Sequence, residues 1–322
     1  MKLTSICLAF FISSSSLLCA QGNGTAQNPY ELFFADSVRS SMDNAWQKIY
    51  YYRSTNTVKQ PLVVSLHQWS SGYEELKNSL AEETKQKNWH YIHPDFRGAS
   101  NNPNAGGSDL AINDIDDAIE WAIQRFNVDA SKIYVVGASG GGFATLCAYG
   151  RLKHKVASFT AWVPISDLGA WYYESLLRNK KYADNILAIT NSSTDKLNQE
   201  EIEKRSPIYH DIPKERLKNV PLTILAGVHD GHDKNSVPVS QSLLYYNKLL
   251  TEKGVKDRAA FVSENDMSIL LNQQRFPVKD SAFIGSRLIL YQKSYQNIRV
   301  VIFEGGHEML NNVGAILPST QP

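Results

Sequence analysis

Cysteine is scarce in this 322-residue chain, which has three, Cys7, Cys19 and Cys147. A scaffold stapled by several disulfides is excluded, and a chain of this length can bury a core without staples. Charge of one sign is also lacking, with 33 Lys and Arg against 32 Asp and Glu. There is no basic patch, so neither nucleic acid nor an anionic membrane surface is expected as a partner. Long hydrophobic runs are missing too. The apolar run at 8–12 stops at the four serines 13–16, well short of a membrane span, so stable membrane insertion is not expected. That short run, behind Lys2 and ahead of Leu17-Leu-Cys-Ala20, instead reads as a secretory signal. Residues 1–20 are therefore expected to be a signal peptide cleaved near Ala20, with export to the periplasm or the exterior. A lipoprotein anchor at Cys19 is disfavoured, because Leu18 stands where a small residue is expected. Cleavage would remove Cys7, Cys19 and Lys2. Cys147 would remain alone, and 32 basic residues would face 32 acidic ones.

What is present is an alternation of strands and helices. Residues 21–29 form a polar leader without apolar period, expected to be flexible. Apolar or alternating runs at 45–52, 62–66, 89–93, 132–136, 156–163, 221–228 and 297–303 read as strands. Helical spacing marks 73–87, 110–126, 139–149 and 239–252. Between about 166 and 217 the chain turns irregular and polar, with scattered aromatics, as an insertion would. The stretch 260–296 reads as an excursion of one helix and two strands. No repeat or linker divides the chain, so residues 30–322 are expected to form one α/β domain around a mostly parallel sheet flanked by helices.

Chemistry concentrates at strand ends. Strand 132–136 runs into Gly137-x-Ser139-x-Gly141, a sharp turn that would present a serine hydroxyl at a helix start. Such a hydroxyl needs a histidine to take its proton and an acid to orient that histidine. His307, in Glu304-Gly-Gly-His307 after the last strand, is the candidate base. Strand 221–228 runs into His229-Asp230-Gly-His232-Asp233. Asp230, directly at the strand end, is the first candidate acid, Asp233 the second and Asp167 a distant third. The order Ser139, Asp230, His307 follows the strand ends of an open parallel sheet. An oxyanion hole would use the backbone N–H of Gly140 and, from the loop after strand 62–66, that of Trp69. The side chains of Trp69, Trp171 and Tyr172 are candidates for the substrate pocket, with ordinary packing an equal alternative. His67 reads as a brace of its loop, as does Arg97. Asp114, Asp116 and Asp117 read as a solvated helix face. The pair His229 and His232 lies on a glycine-containing loop rather than one face of an element, so no metal is expected, and no cofactor.

Taken together, His67-Gln-Trp69, Asp95-Phe-Arg-Gly98, Gly137-Ala-Ser-Gly-Gly141, Val228-His-Asp230 with Val237-Pro238, and Gly305-Gly-His307 resemble the α/β-hydrolase superfamily. The likeness is to its prolyl-oligopeptidase-like and acetyl- or feruloyl-esterase-like branch, and it covers about residues 45–310. It implies the α/β-hydrolase fold with a lid-like insertion after the sixth strand. It also implies a serine hydrolase working through an acyl-enzyme. Two departures stand out. Oligopeptidases carry a β-propeller ahead of this domain, for which the chain has only a few dozen residues. The usual Asp-x-x-Val-Pro spacing is also stretched between Asp230 and Val237. The leading expectation is an exported carboxylic-ester hydrolase, acting on a small-molecule or carbohydrate ester. The alternative is a peptidase without a propeller. A third reading, from another class, is a binding protein on the same scaffold, which an intact Ser, acid and His set argues against.

Overall fold

The structure, a computed structural model, describes residues 33–75, 79–232, 237–277 and 281–311. The expected signal peptide and the leader 21–29 lie outside the described residues. Ten strands follow the spatial order β1-β2-β4-β3-β5-β6-β7-β10-β9-β8. They are β1 (Phe34–Arg39), β2 (Trp46–Tyr52), β3 (Gln60–Leu66), β4 (His90–Pro94), β5 (Val128–Ala138), β6 (Ser158–Trp162), β7 (Leu222–Gly227), β8 (Phe283–Ile284), β9 (Arg287–Tyr295) and β10 (Ile298–Phe303).

The six central strands β4, β3, β5, β6, β7 and β10 are mutually parallel. Both faces of such a sheet are covered, so its strands are apolar throughout rather than alternating. Leu62, Val63 and Val64 of β3 are fully buried, as are Val300, Val301 and Ile302 of β10. The edges run antiparallel: β1 on β2 and β2 on β4 at one side, β9 on β10 at the other. The chain folds as an α/β-hydrolase.

Nine helices flank the described sheet: α1 (Ser79–Gln86), α2 (Asp109–Arg125), α3 (Gly140–Arg151), α4 (Leu168–Leu176), α5 (Lys180–Ile189), α6 (Gln199–Arg205), α7 (Lys214–Asn219), α8 (Ser240–Glu252) and α9 (Glu264–Gln273). Helix α2 starts where Ser108 accepts from Ala111 N–H, a side-chain cap for an otherwise orphaned donor. The insertion between β6 and β7 is α4 to α7. It is tied to the body of the domain: Arg205 donates to the carbonyls of Ala105 and Pro103, and Ile189 fills the space beside Gly106. The 260–296 stretch holds α9, β8 and β9.

Two expectations need correction. β1 leaves no strand pattern in the sequence, because an edge strand with four exposed residues of six has no buried face to imprint there. The acids of α2 are not a solvated face, since Asp114 and Asp116 are buried. Asp114 takes the Arg97 guanidinium, and Asp116 accepts from the backbone N–H groups of Lys153 and His154 and from the His154 ring. A helix start reads as solvated when the loops that cover it are distant in sequence.

Candidate active site

Ser139 sits between β5 and α3 with φ +57° and ψ −119°, a conformation that is costly for a side chain and persists only when its surroundings enforce it. Its N–H is held by Trp162 O at 2.9 Å, and its own carbonyl accepts from Phe143 N–H at 2.9 Å. The flanking small residues are steric requirements. A Cβ on Gly137 would lie 2.3 Å from Gly141 O, so strand and helix could not meet there with any side chain.

The other two groups arrive from neighbouring strand ends. Asp230 follows β7 in a tight turn, its N–H on Gly227 O at 3.0 Å. Gly231, next in the chain, has φ +96°, and a Cβ there would lie 2.6 Å from Pro238 Cα. One Asp230 oxygen accepts from Val237 N–H at 2.6 Å, while the other lies 2.8 Å from His307 Nδ1. His307 Nε2 in turn lies 2.8 Å from Ser139 Oγ. Burial pushes the Asp230 carboxyl up, and the hydrogen bond to His307 and the Val237 and Gly231 N–H groups pull against that rise. The arrangement suits proton transfer from a hydroxyl to an imidazole whose far side is held by a carboxylate.

Of the other candidate acids, Asp167 caps α4, accepting from Ala170 N–H at 3.0 Å, and is not brought to His307. Asp233 lies outside the described residues. His229 pairs with Glu304 and Gln274, and among the described residues no group of three or more His, Cys, Asp or Glu is placed to hold a metal. His67 lies across its loop, with Nε2 2.6 Å from Asp95 O and its ring stacked 3.9 Å from Phe96.

The loop after β3 crosses the elbow at Gly140. A Cβ on Gly140 would sit 2.2 Å from Trp69 N and 2.4 Å from Trp69 Cα. Gly140, as the first residue of α3, is among the helix donors without an intrahelical partner. Among the described residues no acceptor is paired with Trp69 N–H. Two free donors therefore neighbour the serine.

Ser139 and His307 open on a cavity of about 230 Å³, walled also by Gln68, Val163, Glu308 and Asn311. Trp69, Trp171 and Tyr172 are not on these walls, which corrects their placement as pocket residues. All three are buried, with Trp69 edge-on to Phe143 at 5.6 Å and to Trp171 at 4.9 Å. Large rings bury more apolar area in a seam between helices than on a wet wall. Of the residues that do line the cavity, Val163, Glu308 and Asn311 carried no motif. Val163 gives a structural sign only, a β-branched residue at φ +42°, where strain is expected to mark function.

The sequence profile of the prolyl oligopeptidase family matches residues 85–266. Acylamino-acid-releasing enzyme 1 of Oryza sativa subsp. japonica is 29% identical over 171 residues, which are 50% of this chain and 20% of that protein. Among solved structures, the Pyrococcus horikoshii acylaminoacyl peptidase superposes with a TM-score of 0.54 at 17% identity, over 86% of this chain and 38% of its own. Oligopeptidase B from Leishmania major gives 0.57 at 11% identity, over 89% and 35%. The chain thus spans 20% of the rice protein's length and well under half of either solved chain.

Proposed function

We propose, for a chain that belongs to the prolyl oligopeptidase family, a serine peptidase that cleaves an amide through an acyl-enzyme on Ser139. The observation that carries this reading is the unbroken relay from Ser139 Oγ to His307 Nε2 and from His307 Nδ1 to Asp230, each step 2.8 Å. Ser139 Oγ attacks the carbonyl carbon as His307 Nε2 takes its proton. The carbonyl oxygen, gaining negative charge, is met by the N–H groups of Gly140 and Trp69. His307 then gives the proton to the leaving nitrogen, the C–N bond breaks, and water attacks the ester by the same route in reverse. Asp230 stays ionised and holds the imidazole in the tautomer that presents a free Nε2.

A peptide is favoured over a carbohydrate ester for a physical reason besides family. Sugar stacking needs open aromatic faces; of the expected rings Trp69, Trp171 and Tyr172 are buried and Tyr173 is exposed, and no Trp, Tyr or Phe is among the described cavity walls. The cavity offers amide, hydroxyl and carboxylate groups instead, from Gln68, Asn311, Ser139 and Glu308. Export after cleavage near Ala20 belongs to the same proposal, and the mass of the secreted chain checks it. Among the described residues no helix is long and apolar enough to cross a membrane.

The test is fluorophosphonate labelling of wild type beside Ser139→Ala, followed by N-acyl-aminoacyl anilides, p-nitrophenyl acetate and a feruloyl ester. Label lost in the variant, with anilide turnover, is the expected result. Ester turnover without any anilide cleavage would return the carboxylesterase reading. A folded wild type that takes no label would favour the binding protein.

A further inference from the structure

We propose that Asn185, on insertion helix α5, is a positioning residue for the oxyanion hole, acting through the side chain of Trp69. The inference rests on the serine-hydrolase reading above and on Trp69 N–H as its second donor. It gives the insertion a part in the chemistry as well as in covering the site.

Trp69 is held at three points. Its indole Nε1–H donates to Asn185 Oδ1 at 3.3 Å. Its ring is gripped edge-on by Phe143 of α3 and Trp171 of α4, and Trp171 is backed by Tyr182 of α5 at 5.1 Å. Its carbonyl accepts from Ser100 N–H at 2.8 Å. The indole can only donate, so the Asn185 amide must turn its oxygen to it, and that orientation is fixed rather than chosen. The backbone N–H is the polar group of Trp69 left over, and it lies against the elbow where Gly140 has no side chain.

The loop is braced on its own side by His67 Nε2, 2.6 Å from Asp95 O, and by Gln68 N–H on Glu75 Oε2 at 3.0 Å, and Asn185 adds a tie from the insertion. A bulky ring at the donor residue is a lever: its position sets the direction of the N–H three bonds away. With the ring bolted to α4 and α5, the donor is fixed before the substrate arrives, which is the condition for an oxyanion hole to stabilise charge at no reorganisation cost. The insertion is not sequence-adjacent to the loop, since Trp69 and Asn185 are 116 residues apart.

Three single variants and one double variant of the full chain test this with an anilide or ester that the wild type turns over. Trp69→Phe keeps a ring and deletes the donor. Asn185→Leu keeps the volume and deletes the acceptor, and Asn185→Asp retains an acceptor. Misplacing one donor by a fraction of an ångström should lower kcat about 10-fold to 100-fold in Trp69→Phe and Asn185→Leu. KM should stay within about twofold, because ground-state binding is untouched. Asn185→Asp should recover most of the loss. The Trp69→Phe, Asn185→Leu double variant should be no slower than the slower single, since both break one bond. Wild-type kcat in both singles, or a double variant whose losses multiply, would overturn the proposal. So would a fall in thermal midpoint with kcat unchanged, which is what mere packing predicts. A wild type that neither turns over nor takes fluorophosphonate would fail the serine-hydrolase reading itself, a different outcome from an active wild type indifferent to Asn185.

Discussion

Gly140 has no side chain because Trp69 occupies the place where one would go. Gly140→Ala would set a methyl 2.2 Å from a backbone nitrogen, and either the loop after β3 or the elbow must give way. Both carry the chemistry, so turnover should drop by at least about 100-fold, read as kcat on the best anilide with folding checked by circular dichroism. Asp230→Asn probes the other end of the relay. A neutral amide leaves the geometry in place but favours the wrong imidazole tautomer, and a loss of about 10³- to 10⁴-fold in kcat is expected. A loss below tenfold would remove Asp230 from its role. At this scale Ser139, Asp230 and His307 were legible in the sequence because each stands directly after an apolar run, where a parallel sheet must place it. The cavity walls were not. Val163, Glu308 and Asn311 reach the site through turns whose geometry depends on strands far away, and a buried tryptophan has the same letter as an exposed one.

Among elements, the edge pair β1 and β2 is fastened to the body through Arg97. Its guanidinium donates to both Asp43 oxygens, to both Asp114 oxygens and to Ser40 Oγ. Burial pushes the Asp114 carboxyl up and the Arg97 hydrogen bonds pull it back. Arg97→Ala would leave a carboxylate only 1% exposed without its cation. Breaking one side of such a buried pair costs about 3–5 kcal/mol, readable as a lowered urea midpoint. Arg97→Lys should restore only part of it, because one ammonium cannot fork to three groups. The Arg97 brace could be read from its turn sequence, but its partners could not. Asp43 and Asp114 belong to a loop and a helix that fold over it from opposite directions. The insertion was visible as a break in periodicity. Its bolts to the loops at 103–106 and 69 were invisible, being contacts of a few side chains between distant segments.

For the whole molecule, acid is the informative perturbation. Burial, with repulsion from His67, lowers His93 to about 3, and burial lowers His210 to about 4. Both are neutral in the folded chain at pH values where the unfolded chain already protonates them. Unfolded protein therefore binds more protons, and stability falls as pH falls. The contribution is whole above about 6.5 and is lost progressively down to the folded values, at up to ~1.4 kcal/mol per pH unit for each group. Urea midpoints measured from pH 7 to 4 should decline accordingly, and His93→Gln should flatten the decline. An unchanged slope would mean that other groups set it.

The three reacting side chains hang from three different strands, and Ser139 and His307 are 168 residues apart along the chain. No fragment short of β5 through β10 in register can bring them together. Loops that long close slowly, because the entropy of bringing their ends together is spent before any contact rewards it. During refolding, far-ultraviolet ellipticity should return ahead of fluorophosphonate reactivity, and the lag between them should time the docking of β10 against β7. Acylation competence would then serve as a clock for the final closure of the sheet.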